Sequence, residues 1–159
     1  KKKKIITVLD LVSNNDPSFQ KVVVSALPHT DYLLLNEIEA ELLFKQSVTD
    51  SKKNLNKKKI IHLSKKIFLK GINKALIIHH SKESLYISRD EIIHTKAKAI
   101  DKKKIINSVG AGDAFCAAFI FGVHESWEMK EILKKAHAAG NAMVKVDASS
   151  GNLPKINKL

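Results

Sequence analysis

Asn107-Ser108-Val109-Gly110-Ala111-Gly112-Asp113-Ala114-Phe115 is the stretch on which the reading of this chain turns. Two glycines flank an alanine and lead directly into an unbroken small and apolar run, residues 114–121. Glycine lets the backbone take positive φ and come close to an anion. The first turn of the helix that follows offers N–H groups without intrahelical partners at the positive end of its dipole, which makes an anion site. Asp113 lies beside those donors, where it can accept a proton from an attacking hydroxyl. Phosphoryl transfer depends mostly on positioning and charge stabilisation, so a donor cradle with one carboxyl alongside suits it. The four residues Gly110, Ala111, Gly112 and Asp113 also fit a plain strand–turn–helix connection with an Asp near the cap. The context weighs on the other side. The helix expected over residues 112–124 is apolar all round, hence buried, and an Asp at the buried end of such a helix needs a reason beyond capping.

Working outward, apolar runs alternate with helical patterns, the sign of an α/β sheet. Residues 4–11 read as a buried strand. Asp16 and Pro17 open a helix to about Leu27, with Phe19, Val22, Val23 and Ala26 on its inner face, and Pro28 ends it. Residues 32–35 form a short strand that runs into a helix starting at Asn36. Residues 46–56 are polar and read as a loop or a frayed helix start. A helix follows, with Ile60, Leu63 and Ile67 at helical spacing, and Gly71 marks its end. Residues 75–79 read as a strand, and 85–87 with 92–94 as a hairpin-like pair. A last helix spans 129–146, with Ala136, Ala138, Ala139, Gly140 and Ala142 on its small face. Cys116 reads as a core residue and His137 as a surface one. The expected organisation is one domain over residues 1–150 and a polar tail over 151–159.

Composition narrows the function classes. The 159 residues suffice for one substantial core. No run approaches the ~18 apolar residues needed to span a bilayer. The basic-then-apolar start is too short and too interrupted, by Asp10, for a signal peptide. A single cysteine excludes a disulfide framework or a Cys-based zinc site within the chain. The net charge of +12 invites a nucleic-acid reading. Against it, all the basic residues but Arg89 are lysine, whereas base readout and phosphate forks lean on arginine. The lysine runs at residues 1–4, 57–59 and 102–104 read as a solvated surface.

The segment from Val109 to Phe115 resembles the second signature of the PfkB/ribokinase carbohydrate kinases, Asp-Thr/Ser-Thr/Val-Gly-Ala-Gly-Asp-x-Phe. The resemblance implies that the amides of Gly110, Ala111 and Gly112 form the anion hole and that Asp113 is the catalytic base. Leu35-Asn36-Glu37-Ile38-Glu39, about 70 residues earlier, resembles the family's Asn-x-x-Glu motif. By that resemblance Asn36 and Glu39 organise Mg²⁺, waters and phosphates, with Glu39 as the metal-side carboxylate. Taken alone, the pair is a helix start with an acidic first turn. Asn141 falls near where relatives contact the nucleotide. Ser81 and Ser84 stand where the family often carries the glycines of a phosphate-contacting turn. The family's opening Asp, which helps set a monovalent-cation loop, is Asn107 here, a departure that weighs against cation activation and towards weakened activity.

The resemblance therefore implies a ribokinase-like three-layer α/β/α fold with a mostly parallel sheet. It also implies a cytoplasmic kinase moving the ATP γ-phosphoryl, with Mg²⁺, to a hydroxyl of a sugar-like small molecule. It covers the later half of a typical member, and the earlier half carries most sugar contacts. The alternatives are a catalytically impaired binding or regulatory protein on the same fold and, more remotely, a nucleic-acid module. Neither the acceptor nor the oligomeric state, a homo-oligomer included, is legible.

Overall fold

A computed structural model describes residues 5–14, 16–147 and 155–158. The lysine run at 1–4 and most of the expected tail, residues 151–154 and 159, lie outside the described residues. Among the described residues, strands and α-helices follow one another as β1 (Val8–Asp10), α1 (Phe19–Ala26), β2 (Tyr32–Asn36), α2 (Glu37–Phe44), α3 (Lys57–Leu69), β3 (Ala75–His80), β4 (Glu83–Ser88), β5 (Ile92–Lys96), α4 (Ala111–His124) and α5 (Met129–Met143). The chain gathers into two units. One comprises the described residues of Lys1–His80 with Ser84–His94, the other those of Ser81–Glu83 with Thr95–Leu159.

The first unit is built on a five-stranded sheet in sequence order. β1, β2 and β3 are parallel, with Leu9 opposite Leu33 and Leu34 opposite Ile77. Only Ser81 and Lys82 join β3 to β4, a length that permits an antiparallel hairpin and no crossover. β2 reads Tyr-Leu-Leu-Leu and β3 Ala-Leu-Ile-Ile, continuous apolar runs rather than alternation. Both are buried along those four residues, as expected of strands covered on both faces. On one face Leu33, Leu35, Leu76, Ile78, Leu85 and Ile87 share a core with Val23 and Leu27, Ala40 and Leu43, and Ile60, Leu63 and Ile67. Thus α1, α2 and α3 cover that face.

Local chemistry sets the boundaries. Asn56 caps α3 through Lys59 N, and Gly71 closes it at φ 106°, against Pro28. The polar loop over 46–56 is pinned by the Thr49–Leu55 bridge and by Glu41 Oε1, which accepts from Ser47 Oγ at 2.8 Å and Val48 N at 3.0 Å. Two expectations need correction. β1 is only three residues long. Val22 is exposed, because Val23 and Val24, not Val22, turn toward the core.

The second unit is centred on the α4–α5 pair. Ala114, Phe115, Ala118 and Phe119 of α4 are buried, as are Ile132, Leu133, Ala136, Ala139 and Met143 of α5. Close approach is possible because Gly122 meets Ile132 directly: a Cβ there would lie 2.7 Å from its Cγ1. The expectation that α4 is buried on all sides fails. Ile120 and Phe121 are exposed, and so is Asp113. His137, expected at the surface, is buried with its ring edge-on to Phe115, centroids 5.2 Å apart.

Candidate active site

Ligands of open α/β sheets bind outside the carboxyl ends of the strands. At that end of β2 the chain turns from strand to helix within one residue. Asn36 has extended φ and ψ, and its side-chain oxygen accepts from Glu39 N at 2.9 Å. The Glu39 carboxylate reaches back: Oε2 accepts from Asn36 N at 2.9 Å, and Oε1 from Asn36 Nδ2 at 2.8 Å. This is a reciprocal capping box. The loop after β1 completes it, since Ser13 Oγ donates to Glu39 Oε1 at 3.2 Å. Glu39 is 4 % exposed. Burial pushes its carboxyl above the ordinary glutamate range. Hydrogen bonds from Asn36 and Ser13 oppose that, and the negative charge of Asp10 adds to it. The ends of β1 and β2 and the first turn of α2 thus converge on one buried carboxyl. Sequence reasoning picked out Asn36 and Glu39 but missed Asp10 and Ser13. Only the parallel pairing of β1 with β2 brings them there, and their spacing carries no signal of it.

The Gly-Ala-Gly turn sits in the second unit and is built differently. Gly110 adopts φ 77°, ψ −2°, the left-handed region, and no side chain caps the helix. Ala111 N donates to Ser108 O at a long 3.3 Å, and Ala114 N to Gly110 O at 2.9 Å. Among the described residues, the amides of Gly112 and Asp113 between them make no hydrogen bond. They are the first-turn donors that a helix leaves open. Asp113 follows as the one acidic residue of the first turn.

What holds the turn in place is Asn107. Its Oδ1 accepts from Val109 N at 2.9 Å, and its Nδ2 donates to Val146 O at 2.9 Å. Ile106 N donates to Val144 O at 2.8 Å. An aspartate at 107 could make the first of these bonds and not the second, so the amide has a structural task of its own. Asn141 donates Nδ2 to Lys98 O at 2.9 Å. It ties the extended segment after β5 to α5, and its Oδ1 is the atom left for any ligand.

No group of three or more His, Cys, Asp or Glu among the described residues could hold a metal ion by itself. A Mg²⁺ ion, which keeps several waters and takes its remaining ligands from phosphates, still fits beside Glu39 and Asp10. These are hard oxygen donors, and Glu39 Oε2, which accepts from Asn36 N alone, keeps one lone pair.

Comparison with known proteins shows the family. The sequence profile of the pfkB family carbohydrate kinases matches residues 1–156. The chain belongs to the pfkB family of carbohydrate kinases. Within the family it is 30 % identical over 139 residues to the D-tagatose-1-phosphate kinase of Bacillus licheniformis, covering 87 % of this chain and 42 % of that protein. It is 25 % identical to the ribokinase of Lactococcus lactis over 91 % of this chain and 42 % of the other. Among solved structures, Arabidopsis thaliana ribokinase complexed with ribose and ATP superposes with a TM-score of 0.72 at 23 % identity, covering 96 % of this chain and 46 % of that one. The fold is therefore ribokinase-like. The chain spans less than half the length of these relatives.

Proposed function

We propose that this pfkB-family chain carries the phosphate-handling part of a kinase that transfers the ATP γ-phosphoryl to a hydroxyl of a sugar-like small molecule. The observation that carries the reading is the uncapped start of α4. There, two adjacent amides are unengaged at the positive end of a 14-residue helix, with the Asp113 carboxyl on the same turn. Such donors stabilise charge that develops on an oxygen during transfer, and they need no reorganisation as it does. Asp113 accepts the proton of the acceptor hydroxyl as that oxygen attacks phosphorus. Gly110 supplies the left-handed bend that aims the amides, and Ala111 the peptide unit between the glycines. Asn36 fixes the Glu39 carboxyl, which holds waters of a Mg²⁺ ion. That ion, when bound, neutralises phosphate charge. Asn141 Oδ1 offers an acceptor to the nucleotide. Asn107 makes no monovalent-cation loop a part of this reading. Asp113→Asn tests it. ADP release with a panel of sugars should fall at least ~10²-fold, while ATP binding by calorimetry stays within a few-fold of wild type. Unchanged ADP release would remove Asp113 from the chemistry.

A second reading is a ribokinase-fold binding protein without turnover. It is favoured by the structural task that Asn107 performs at the position of the motif's opening Asp. ATP-binding heat with no ADP from any sugar, in wild type as in Asp113→Asn, would select it.

A further inference from the structure

A glycine outside the motif shapes the open turn. Gly140 lies on α5, and a Cβ placed on it would come 3.2 Å from the carbonyl oxygen of Ala111. That is tighter than ordinary contact, and the neighbour is backbone, which has no rotamer with which to move aside. The carbonyl of Ala111 and the amide of Gly112 are two ends of one planar peptide unit. Any displacement of the oxygen therefore tilts the Gly112 N–H, one of the two unengaged donors of α4. Nor can α5 back away freely. Its C-terminal end and the residues just after it are tied to the segment that leads into the turn. Val144 O accepts from Ile106 N, Val146 O from Asn107 Nδ2, and Asn141 Nδ2 donates to Lys98 O. A methyl group at 140 would be absorbed by the turn.

We infer that Gly140 is a positioning residue for the phosphate-holding amides: its missing side chain lets α5 support the Ala111–Gly112 peptide in the orientation that presents Gly112 N–H. This rests on the phosphoryl-transfer reading above and adds a residue to it. The contrast within the same helix pair is Gly122, whose absent Cβ would meet first the side chain of Ile132, at 2.7, 3.2 and 3.3 Å. That contact is packing without a link to the donors, and by distance it is the more severe of the two.

The test is an ATP titration of the isotope-labelled chain in Mg²⁺ buffer, read by amide resonances and by calorimetry, for wild type, Gly140→Ala and Gly122→Ala. In wild type the Gly112 and Asp113 resonances should move on ATP addition. In Gly140→Ala the Gly112 resonance should already be displaced without ligand, and ATP affinity should fall about three- to ten-fold, the scale expected of a misplacement well under 1 Å. Gly122→Ala should lower the melting temperature more than Gly140→Ala does and leave ATP affinity unchanged. Wild-type affinity in Gly140→Ala, or an equal affinity loss in both variants, would overturn the inference while leaving the cradle intact. Wild-type Gly112 and Asp113 resonances unmoved by ATP would overturn the cradle itself. Should Gly140→Ala not fold, the wild-type titration still decides. The Gly140 amide must follow ATP with the same midpoint as Gly112, and a stationary Gly140 sinks the inference.

Discussion

Two helix beginnings in this chain solve the same problem in opposite ways. α2 starts with its donors closed by its own side chains. Asn36 and Glu39 cap each other, Ser13 joins from the next loop, and the carboxyl is buried. α4 starts with a left-handed glycine, no side-chain cap and two amides left open. The first arrangement is what stability alone selects, since a good N-cap contributes about 1 kcal/mol. The second forgoes that contribution, and the donors it leaves open become available to a ligand. The difference separates a region whose geometry is self-sufficient from one that is completed by an anion.

The largest effect that would sharpen this contrast is expected at Asn36. Asn36→Ala removes the cap to Glu39 N and the donor to Glu39 Oε1, and leaves a buried carboxyl with fewer partners. It should destabilise the chain by about 2 kcal/mol or more, read from the urea midpoint at constant slope. If the loss were only a few tenths of a kcal/mol, α2 would be no more closed than α4 and the comparison would dissolve.

Next in size is Asn107→Asp. The substitution restores the residue that opens the family motif, yet it deletes the donor to Val146 O and sets a carboxylate oxygen against that carbonyl. A loss of about 1–2 kcal/mol is expected in the same urea titration. Unchanged stability would show that Asn107 does not anchor the open turn. The reason for its departure from the motif would then lie elsewhere.

How much of this was legible beforehand differs between the two regions for a physical reason. The α/β order, the parallel-strand runs of β2 and β3 and the helix start at Asn36 are written in local periodicity and cap chemistry. The Gly-Ala-Gly-Asp turn is equally local, and its left-handed Gly110 follows from residue type. What could not be read depends on contacts distant in sequence. Ser13 and Asp10 reach Glu39 only because β1 lies parallel to β2. Gly140 faces Ala111 only through the packing of α5 on α4. The apolar run from Ala114 to Phe121 misled in the other direction. Composition suggested burial all round, but Ile120 and Phe121 face outward, because a helix packed on one neighbour buries one stripe whatever its other residues are.

The smallest effect concerns the closed helix start and is one of pH. Burial and Asp10 raise the Glu39 carboxyl above its unfolded value near 4.5, against the pull of Asn36 and Ser13. A group raised in the folded state takes up its proton more readily there than in the unfolded chain. Its contribution to stability is complete below the unfolded value and is lost as pH rises through the folded one. The subtraction of Glu39→Gln from wild type isolates that contribution. Glutamine also brings an amide group against Asn36 Nδ2, but this offset does not change with pH. Urea titrations in metal-free buffer should therefore show the wild type losing ground to Glu39→Gln as pH rises from about 4 to neutrality, and no further change above the folded value. A difference that instead grew in favour of wild type over that window would mean that Asn36 and Ser13 hold the ionised carboxylate more strongly than burial opposes it. The closed helix start would then be a stabilised anion rather than a strained one, already charged for Mg²⁺ before any ligand arrives.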